Sequence, residues 1–194
     1  MIISLEGIDN SGKTTQADLL ANRFCSEGFT VIVSKELSTD IGVLLKKSFK
    51  NLHYSSVMKT LLFSADRQER LEKLKEHLEI QSNIVIFDRY IHSALAYRYS
   101  EGVDEQWVLN VNKYVPQIDL GFYIDITSEE SISRNTTDKD NIFYSQYQLE
   151  IIRKRYLTYV ERGELALIDG SMNKNDITSE ILNVILQCNQ KKKL

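Results

Sequence analysis

Cysteine, histidine and proline are scarce in this sequence of 194 residues, and each shortage excludes a class of protein. The two cysteines, Cys25 and Cys188, lie far apart, which excludes a disulfide-stapled secreted fold and predicts a reducing, cytoplasmic compartment. The three histidines are His53, His77 and His92, and none has a second ligand at the spacing of a zinc site. The single proline excludes a proline-rich linker between domains.

The chain also lacks an excess of charge of either sign and any long apolar run. Its formal net charge is -3, so we expect no nucleic-acid partner, and any affinity for phosphate must be local. No segment approaches about 20 consecutive apolar residues, so we expect no membrane partner. The length and the 42% hydrophobic content suit one core, and we expect residues 1–194 to form a single domain.

Short apolar runs alternate with longer segments of helical spacing along the chain. The runs lie at 2–5, 31–33, 84–87, 122–126 and 165–168. This alternation is typical of an α/β fold, in which helices cover both faces of a parallel sheet. At 57–78 the apolar positions follow the helical period with charges between them, which predicts one long helix with a buried face.

One motif near the start of the chain indicates phosphate binding. Residues 7–14, GIDNSGKT, match the pattern G-x-x-x-x-G-K-[ST] between a predicted strand and a predicted helix. In such a loop the backbone N–H groups converge on an anion at the positive end of the following helix. Lys13 is expected to reach the terminal phosphates of a nucleotide, and the Thr14 hydroxyl to bind Mg²⁺. The predicted nucleotide-binding residues here are Gly7, Ile8, Asp9, Asn10, Ser11, Gly12, Lys13, Thr14 and Thr15.

A phosphate loop alone is compatible with kinases, GTPases and motor ATPases. Residues 173–176, NKND, match the N-K-x-D element with which GTPases read guanine. In GTPases that element follows directly from an apolar strand, whereas here residues 170–172 intervene after the run at 165–168. The only D-x-x-G pattern, at 9–12, lies inside the phosphate loop, so no separate γ-phosphate switch is visible. The GTPase interpretation is therefore the weaker one.

A second candidate site follows the third predicted strand. Asp88 and Arg89 lie just past its carboxyl end, which is the edge where open parallel sheets bind ligands. A carboxylate there can hold Mg²⁺, and an adjacent arginine can bind a second phosphate in bidentate fashion. On the long predicted helix, Phe63 and Arg67 are spaced i and i+4, so an aromatic plane and a guanidinium share one face.

Together these motifs resemble the thymidylate kinase family. The likeness runs through the phosphate loop, LLFSADR (61–67), DRYIHSALAY (88–97), PQIDLGFYIDI (116–126) and LALIDGS (165–171), in that order. The resemblance implies a three-layer P-loop NTPase fold, with a five-stranded parallel sheet flanked by helices and a small lid at about 135–142. It implies transfer of the γ-phosphate of ATP to dTMP with Mg²⁺, giving ADP and dTDP, in a homodimer.

The resemblance also assigns roles to residues of this chain. It makes Lys13, Asp88 and Arg89 the catalytic residues, Arg89 a ligand of the dTMP phosphate, and Thr14 and Asp88 the metal ligands. The residues that it implies for dTMP are Asp9 for the sugar 3′-hydroxyl, Phe63 and Arg67 for the thymine ring, and Tyr97, which excludes a 2′-hydroxyl. Arg134 is implied to approach ATP.

Departures from the family pattern keep alternatives open. A phosphate-binding arginine of the substrate loop is replaced by Leu37, for which Lys35 is the candidate substitute. The phosphate loop has Asn10 where an arginine can stand, and the predicted lid offers only Lys139. The alternatives are another nucleotide or deoxynucleoside kinase, and a nucleotide-binding regulatory paralogue of low activity.

Overall fold

The computed structural model describes residues 1–49, 54–134 and 144–191. The strands are β1 (Ile2–Glu6), β2 (Val31–Lys35), β3 (Ile84–Asp88), β4 (Leu120–Asp125) and β5 (Ala166–Asp169). The helices are α1 (Lys13–Ser26), α2 (Asp40–Phe49), α3 (Ser56–Lys73), α4 (Lys75–Glu79), α5 (Ile91–Ser100), α6 (Glu105–Val111), α7 (Ser128–Ser133), α8 (Gln146–Glu161) and α9 (Lys174–Lys191). The lid predicted at 135–142 lies outside the described residues.

The five strands form one parallel sheet, as predicted, and their order is β2-β3-β1-β4-β5. Because all strands run in one direction, their carboxyl ends meet at a single edge. Strands β2 and β3 lie on one side of β1, and strands β4 and β5 lie on the other side. The connections therefore diverge at β1, which places a crevice at its carboxyl end. The segments that follow β1, β2 and β3 therefore converge where ligands bind in such sheets.

Each face of the sheet is covered by helices, so the fold has three layers. On one face α1 and α9 pack their apolar side chains against β1, β3, β4 and β5. On the other face α5 and α8 form a second cluster, and α3 packs beside them over Val85 and Phe87. The strand residues of these clusters are almost wholly buried, and each buried aliphatic side chain contributes about 1.5–3 kcal/mol.

The structure differs from the predicted elements mainly at their boundaries. The long helix predicted at 57–78 ends at Lys73, because the backbone at Leu74 leaves the helical region and α4 starts again at Lys75. This break lets Leu74 and Leu78 both pack against the cluster under α3. In the described ranges, no helix is long and apolar enough to cross a membrane.

Candidate active site

The backbone conformation of the phosphate loop requires its two glycines. A Cβ on Gly7 would lie 2.5 Å from Ser11 Oγ and 2.7 Å from the carbonyl oxygen of Ile124, so no larger residue fits. Gly12 adopts a left-handed conformation with φ 95° and starts α1 directly at Lys13. No side chain among the described residues caps this helix. Its first-turn N–H groups therefore point at the loop and are available to an anion.

Lys13 is folded back onto the phosphate loop. Its Nζ donates to the carbonyl oxygen of Ile8 at 2.7 Å and to Ser11 Oγ at 3.1 Å. Burial and, to a smaller extent, the nearby charge of Arg89 lower the pKa of Lys13 to about 7, although Asp88 and other carboxylates oppose these effects. A nucleotide phosphate would supply the negative charge that this buried amine lacks.

ATP binding is expected to weaken as pH rises through neutrality. The polyphosphate favours the charged form of Lys13 and raises its pKa, so above pH 7 the free protein must take up a proton before it binds. At pH 7, calorimetry in buffers of different ionisation heat should show that ATP binding is accompanied by uptake of about half a proton. In Lys13→Met the Lys13-dependent uptake should be absent, and unchanged uptake in that variant would assign the proton to another group.

The two predicted metal ligands lie side by side. The Thr14 hydroxyl, in the first turn of α1, donates to Asp88 Oδ2 at 2.5 Å, at the end of β3. Within the described residues, no group of three or more His, Cys, Asp and Glu side chains could hold a metal by itself. Mg²⁺ is typically bound by one or two carboxylates, waters and substrate phosphates, so a hydroxyl and a carboxylate facing a phosphate loop fit it.

Three residues predicted to bind the acceptor form one cluster beside the phosphate loop. Arg89 Nη1 donates to the carbonyl oxygen of Gly7 at 3.0 Å, and Nη2 donates to Asp9 Oδ1 at 2.5 Å. The Tyr97 hydroxyl donates to the same Asp9 oxygen at 3.0 Å. Burial raises the pKa of Tyr97 well above its ordinary value, so the hydroxyl remains protonated and able to donate. The Arg89 guanidinium also lies 4.9 Å from the centroid of the Tyr97 ring.

Glu6 supports this cluster, and sequence reasoning missed it. Arg89 adopts a left-handed backbone with φ 71°, a conformation that costs free energy in a residue other than glycine. The Glu6 carboxylate, at the end of β1, accepts from the backbone N–H of Tyr90 at 3.1 Å and from Ser93 Oγ at 2.5 Å. Burial raises the pKa of Glu6 above its ordinary value. An acidic residue at the end of a buried apolar strand was the available signal.

The predicted thymine-binding residues lie on the side of α3 that faces α5 and α6. Arg67 is fully buried, and its Nη1 donates to Asn112 Oδ1 at 2.6 Å. Its Nη2 lies 3.6 Å from Glu36 Oε1, and its Nε has no partner among the described residues. The guanidinium carbon of Arg98, on α5, lies 5.5 Å from the centroid of the Phe63 ring. An aromatic ring and a buried guanidinium with a spare donor therefore lie on the same side of α3.

The predicted ATP side is marked by Arg134, at the end of α7. Its Nη1 donates to the carbonyl oxygen of Asn10 at 3.4 Å, and its Nη2 donates to the carbonyl oxygen of Gly170 at 2.8 Å. Nη2 also pairs with Glu130 Oε1 at 2.6 Å. The guanidinium thus joins the phosphate loop to the turn after β5.

Comparison with known proteins identifies the family of this chain. The family model described as "Thymidylate kinase" matches residues 5–181. The chain belongs to the thymidylate kinase family. A protein named "Probable thymidylate kinase 1" from Saccharolobus solfataricus is 36% identical over 189 residues, covering 95% of this chain and 96% of the relative. A "Probable thymidylate kinase" from Pyrococcus horikoshii is 33% identical over 198 residues, covering 94% of each chain.

A solved structure is similar over nearly the same length. The crystal structure of thymidylate kinase from Ehrlichia chaffeensis matches with a TM-score of 0.74 and 26% identity, and the match covers 95% of this chain and 98% of that chain. The likeness therefore extends from local motifs to the whole layered architecture. It agrees with the three-layer fold that the resemblance of the motifs implied.

One of the positions that depart from the thymidylate kinase pattern lies in the turn after β2. Leu37 has a left-handed backbone with φ 61°. Lys35 is exposed and pairs in register with Asp88, so its Cα lies at the same level of the sheet as the predicted metal ligand. Glu36 lies between Lys35 and Leu37 in the sequence, and it forms an ion pair with Arg67. The predicted role of Lys35 as a substitute for arginine stays a prediction.

The N-K-x-D match at 173–176 has a structural explanation in this thymidylate kinase family member. Asn173 Oδ1 accepts from the backbone N–H groups of Asn175 and Asp176 at 3.0 Å and 3.1 Å, as in a helix N-cap. The Asn173 amide also donates to the Asp176 carboxylate. The Asn173 and Asp176 side chains are therefore engaged at the start of α9, which weakens the guanine-reading interpretation further.

Proposed function

We propose that this thymidylate kinase family member transfers the γ-phosphate of ATP to dTMP, giving ADP and dTDP. The observation that carries the proposal is the Arg89 cluster. A largely buried guanidinium, hydrogen-bonded to both Gly7 and Asp9, places a second anion-binding group directly beside the phosphate loop. A nucleotide-binding switch needs only one such site, whereas a kinase needs an acceptor phosphate next to the donor phosphate.

The arrangement suits in-line phosphoryl transfer without a covalent intermediate. A monophosphate oxygen of dTMP held by Arg89 attacks the γ-phosphorus of ATP, and the bond from that phosphorus to the β–γ bridging oxygen breaks. Lys13 and the first-turn N–H groups of α1 hold the donor phosphates and offset the charge on the transferring group. Thr14 and Asp88 would hold Mg²⁺, which supplies further positive charge against the phosphate oxygens.

A panel of acceptors tests the proposal. ADP formation from ATP and Mg²⁺ should be measured with dTMP, dUMP, dCMP, AMP and thymidine as separate acceptors. The proposal expects turnover with dTMP above that with any other member of the panel. Highest turnover with thymidine would indicate a deoxynucleoside kinase, and nucleotide binding without turnover would indicate a regulatory paralogue.

Phe63→Ala is expected to weaken dTMP binding by about 10-fold to 100-fold, because stacking on the thymine ring is lost. The KM for ATP should change little, since Phe63 lies on α3, away from the phosphate loop. Steady-state kinetics with each substrate varied in turn measures both effects. The matched control is Phe29→Ala, which truncates a partly exposed phenylalanine outside the site. Equal losses for both substrates would indicate damage to the packing of α3 instead.

We also propose a homodimer and one domain over residues 1–194. Support for the dimer comes from exposed apolar side chains on α2 and α3, which are Val43, Leu44, Val57, Met58 and Leu61. Several apolar side chains left exposed on two successive helices are compatible with a surface that another chain covers. Cys25 and Cys188 are free cysteines, which supports the reducing, cytoplasmic setting predicted for them.

A further inference from the structure

The turn that joins β2 to α2 is held by a buried carboxylate of α3. Asp66 is fully buried and carries two hydrogen bonds from that turn. Its Oδ2 accepts from the backbone N–H of Leu37 at 3.0 Å, and its Oδ1 accepts from the Thr39 hydroxyl at 2.6 Å. The Thr39 hydroxyl in turn accepts from the backbone N–H of Gly42 at 3.0 Å. One carboxylate therefore fixes both the turn and the start of α2.

Two further side chains of α3 bind the turn and the start of α2. Arg67 forms an ion pair with Glu36 at 3.6 Å. One helical turn further along, Glu69 Oε2 accepts from the backbone N–H of Ile41 at 3.2 Å. A hydrogen bond from Lys73 lowers the pKa of Glu69 to about 2, so this acceptor is ionised at neutral pH. The turn is thus attached to α3 at several successive points.

The attachment offsets a cost in the turn itself. Leu37 occupies the left-handed region, which a residue with a branched side chain rarely adopts without support. Without the hydrogen bond from Leu37 N–H to Asp66, the backbone would lower its free energy by leaving the left-handed region and turning that N–H away. The orientation of the neighbouring peptide groups therefore depends on Asp66.

The turn lies between the two ends of the proposed acceptor site. Its backbone begins beside the predicted metal ligand, because the N–H of Glu36 donates to the carbonyl oxygen of Asp88 at 3.1 Å. Its other attachment is α3, the helix that carries Phe63 and Arg67. A nucleotide bound across this region would present its base to α3 and its phosphate to the edge at Asp88.

We propose that Asp66 is a positioning residue for the acceptor nucleotide, which fixes the phosphate side of the acceptor site relative to the helix that reads the base. Asp66 acts through the Leu37 turn and does not contact the reacting atoms. The inference rests on the proposed function, since it assigns the turn to the dTMP site. A rigid distance between the base pocket and the phosphate edge places the attacking oxygen correctly only for a nucleotide of matching length.

Two substitutions at one position separate positioning from stability. Asp66→Asn keeps the shape, and its amide can accept from Leu37 N–H and donate to the Thr39 hydroxyl, so the attachment is retained. Asp66→Ala removes both contacts. Both variants remove the negative charge that lies 3.6 Å from the buried Arg70 Nε, so both should lower the unfolding temperature.

The KM values show whether Asp66 positions the acceptor nucleotide or only stabilises the fold. We expect Asp66→Ala to raise the KM for dTMP by at least about tenfold and Asp66→Asn by less than about threefold, because only the first loses the hydrogen bonds to the turn. The KM for ATP should stay within about twofold of the unsubstituted protein in both variants. If Asp66→Asn and Asp66→Ala raised the KM for dTMP equally, in proportion to the fall in unfolding temperature, the proposal would be overturned. Parallel increases in both KM values would overturn it as well.

A second pair keeps the test decisive if Asp66→Ala does not fold. Thr39→Val removes the hydroxyl that joins Asp66 to Gly42, and Thr39→Ser retains it. The KM for dTMP should rise by about threefold to tenfold in the first variant and stay near that of the unsubstituted protein in the second. Equal KM values in this pair would contradict the proposal. If the unsubstituted protein does not phosphorylate dTMP, the proposed function fails instead, whatever the variants show.

Discussion

Lys13→Met is expected to lower kcat by about 10³-fold, because the side chain that reaches the donor phosphates loses its positive charge. The fold should persist, since methionine fills a similar volume and removes an amine whose charged form is already disfavoured by burial. Turnover with ATP and dTMP, and circular dichroism with thermal melting, measure the two effects on the same preparation.

The control for Lys13 is Lys154→Met, which removes an exposed lysine from α8. It should leave both turnover and unfolding temperature nearly unchanged, because isolated surface charges contribute little. If Lys13→Met retained full turnover, Lys13 would have no part in the transfer. If it unfolded the protein, Lys13 would be a structural residue of the loop.

Arg89→Met is expected to lower kcat/KM for dTMP by about 10³-fold, since it removes the guanidinium assigned to the acceptor phosphate. Arg89→Lys should recover only part of the loss, because an ammonium group lacks the planar fork that binds two oxygens at once. Kinetics with dTMP varied at saturating ATP, together with calorimetric ATP binding, measures the selectivity of the effect.

Arg23→Met serves as the matched control for Arg89. Arg23 lies on α1 with its side chain 60% exposed, and within the described part of the chain its ion pair is with Glu27. Its loss should therefore change the binding of neither substrate. Arg89 also donates to the carbonyl oxygen of Gly7 in the phosphate loop. If ATP binding fell as much as dTMP binding, Arg89 would act by holding that loop and not as an acceptor ligand.

The features predicted best from the sequence are those formed by consecutive residues. The phosphate loop combines glycines, a lysine and a hydroxyl within residues 7–14, and its strand and helix follow from local apolar spacing. The parallel sheet was predictable because its strands are short apolar runs, of which β1, β3 and β4 are buried on both faces. The meeting of Thr14 and Asp88 followed from that topology, since both lie at the carboxyl edge of the sheet.

The supporting contacts could not be predicted in the same way, because their partners are distant along the chain. Glu6 acts through Ser93, and Asp66 acts through Leu37, whose left-handed backbone has no signal in a leucine. The break at Leu74 likewise depends on packing against the sheet and not on a proline or glycine. Tertiary contacts of this kind override local propensity.

Direct transfer between two bound nucleotides is tested by following the γ-phosphate itself. ATP labelled at that phosphate is incubated with dTMP, Mg²⁺ and the protein, and the labelled products are separated. If ATP and dTMP occupy adjoining sites, the label is recovered in dTDP, with one dTDP formed for each ADP. Label released as inorganic phosphate, or ADP formed at the same rate without dTMP, would contradict an acceptor site beside the phosphate loop.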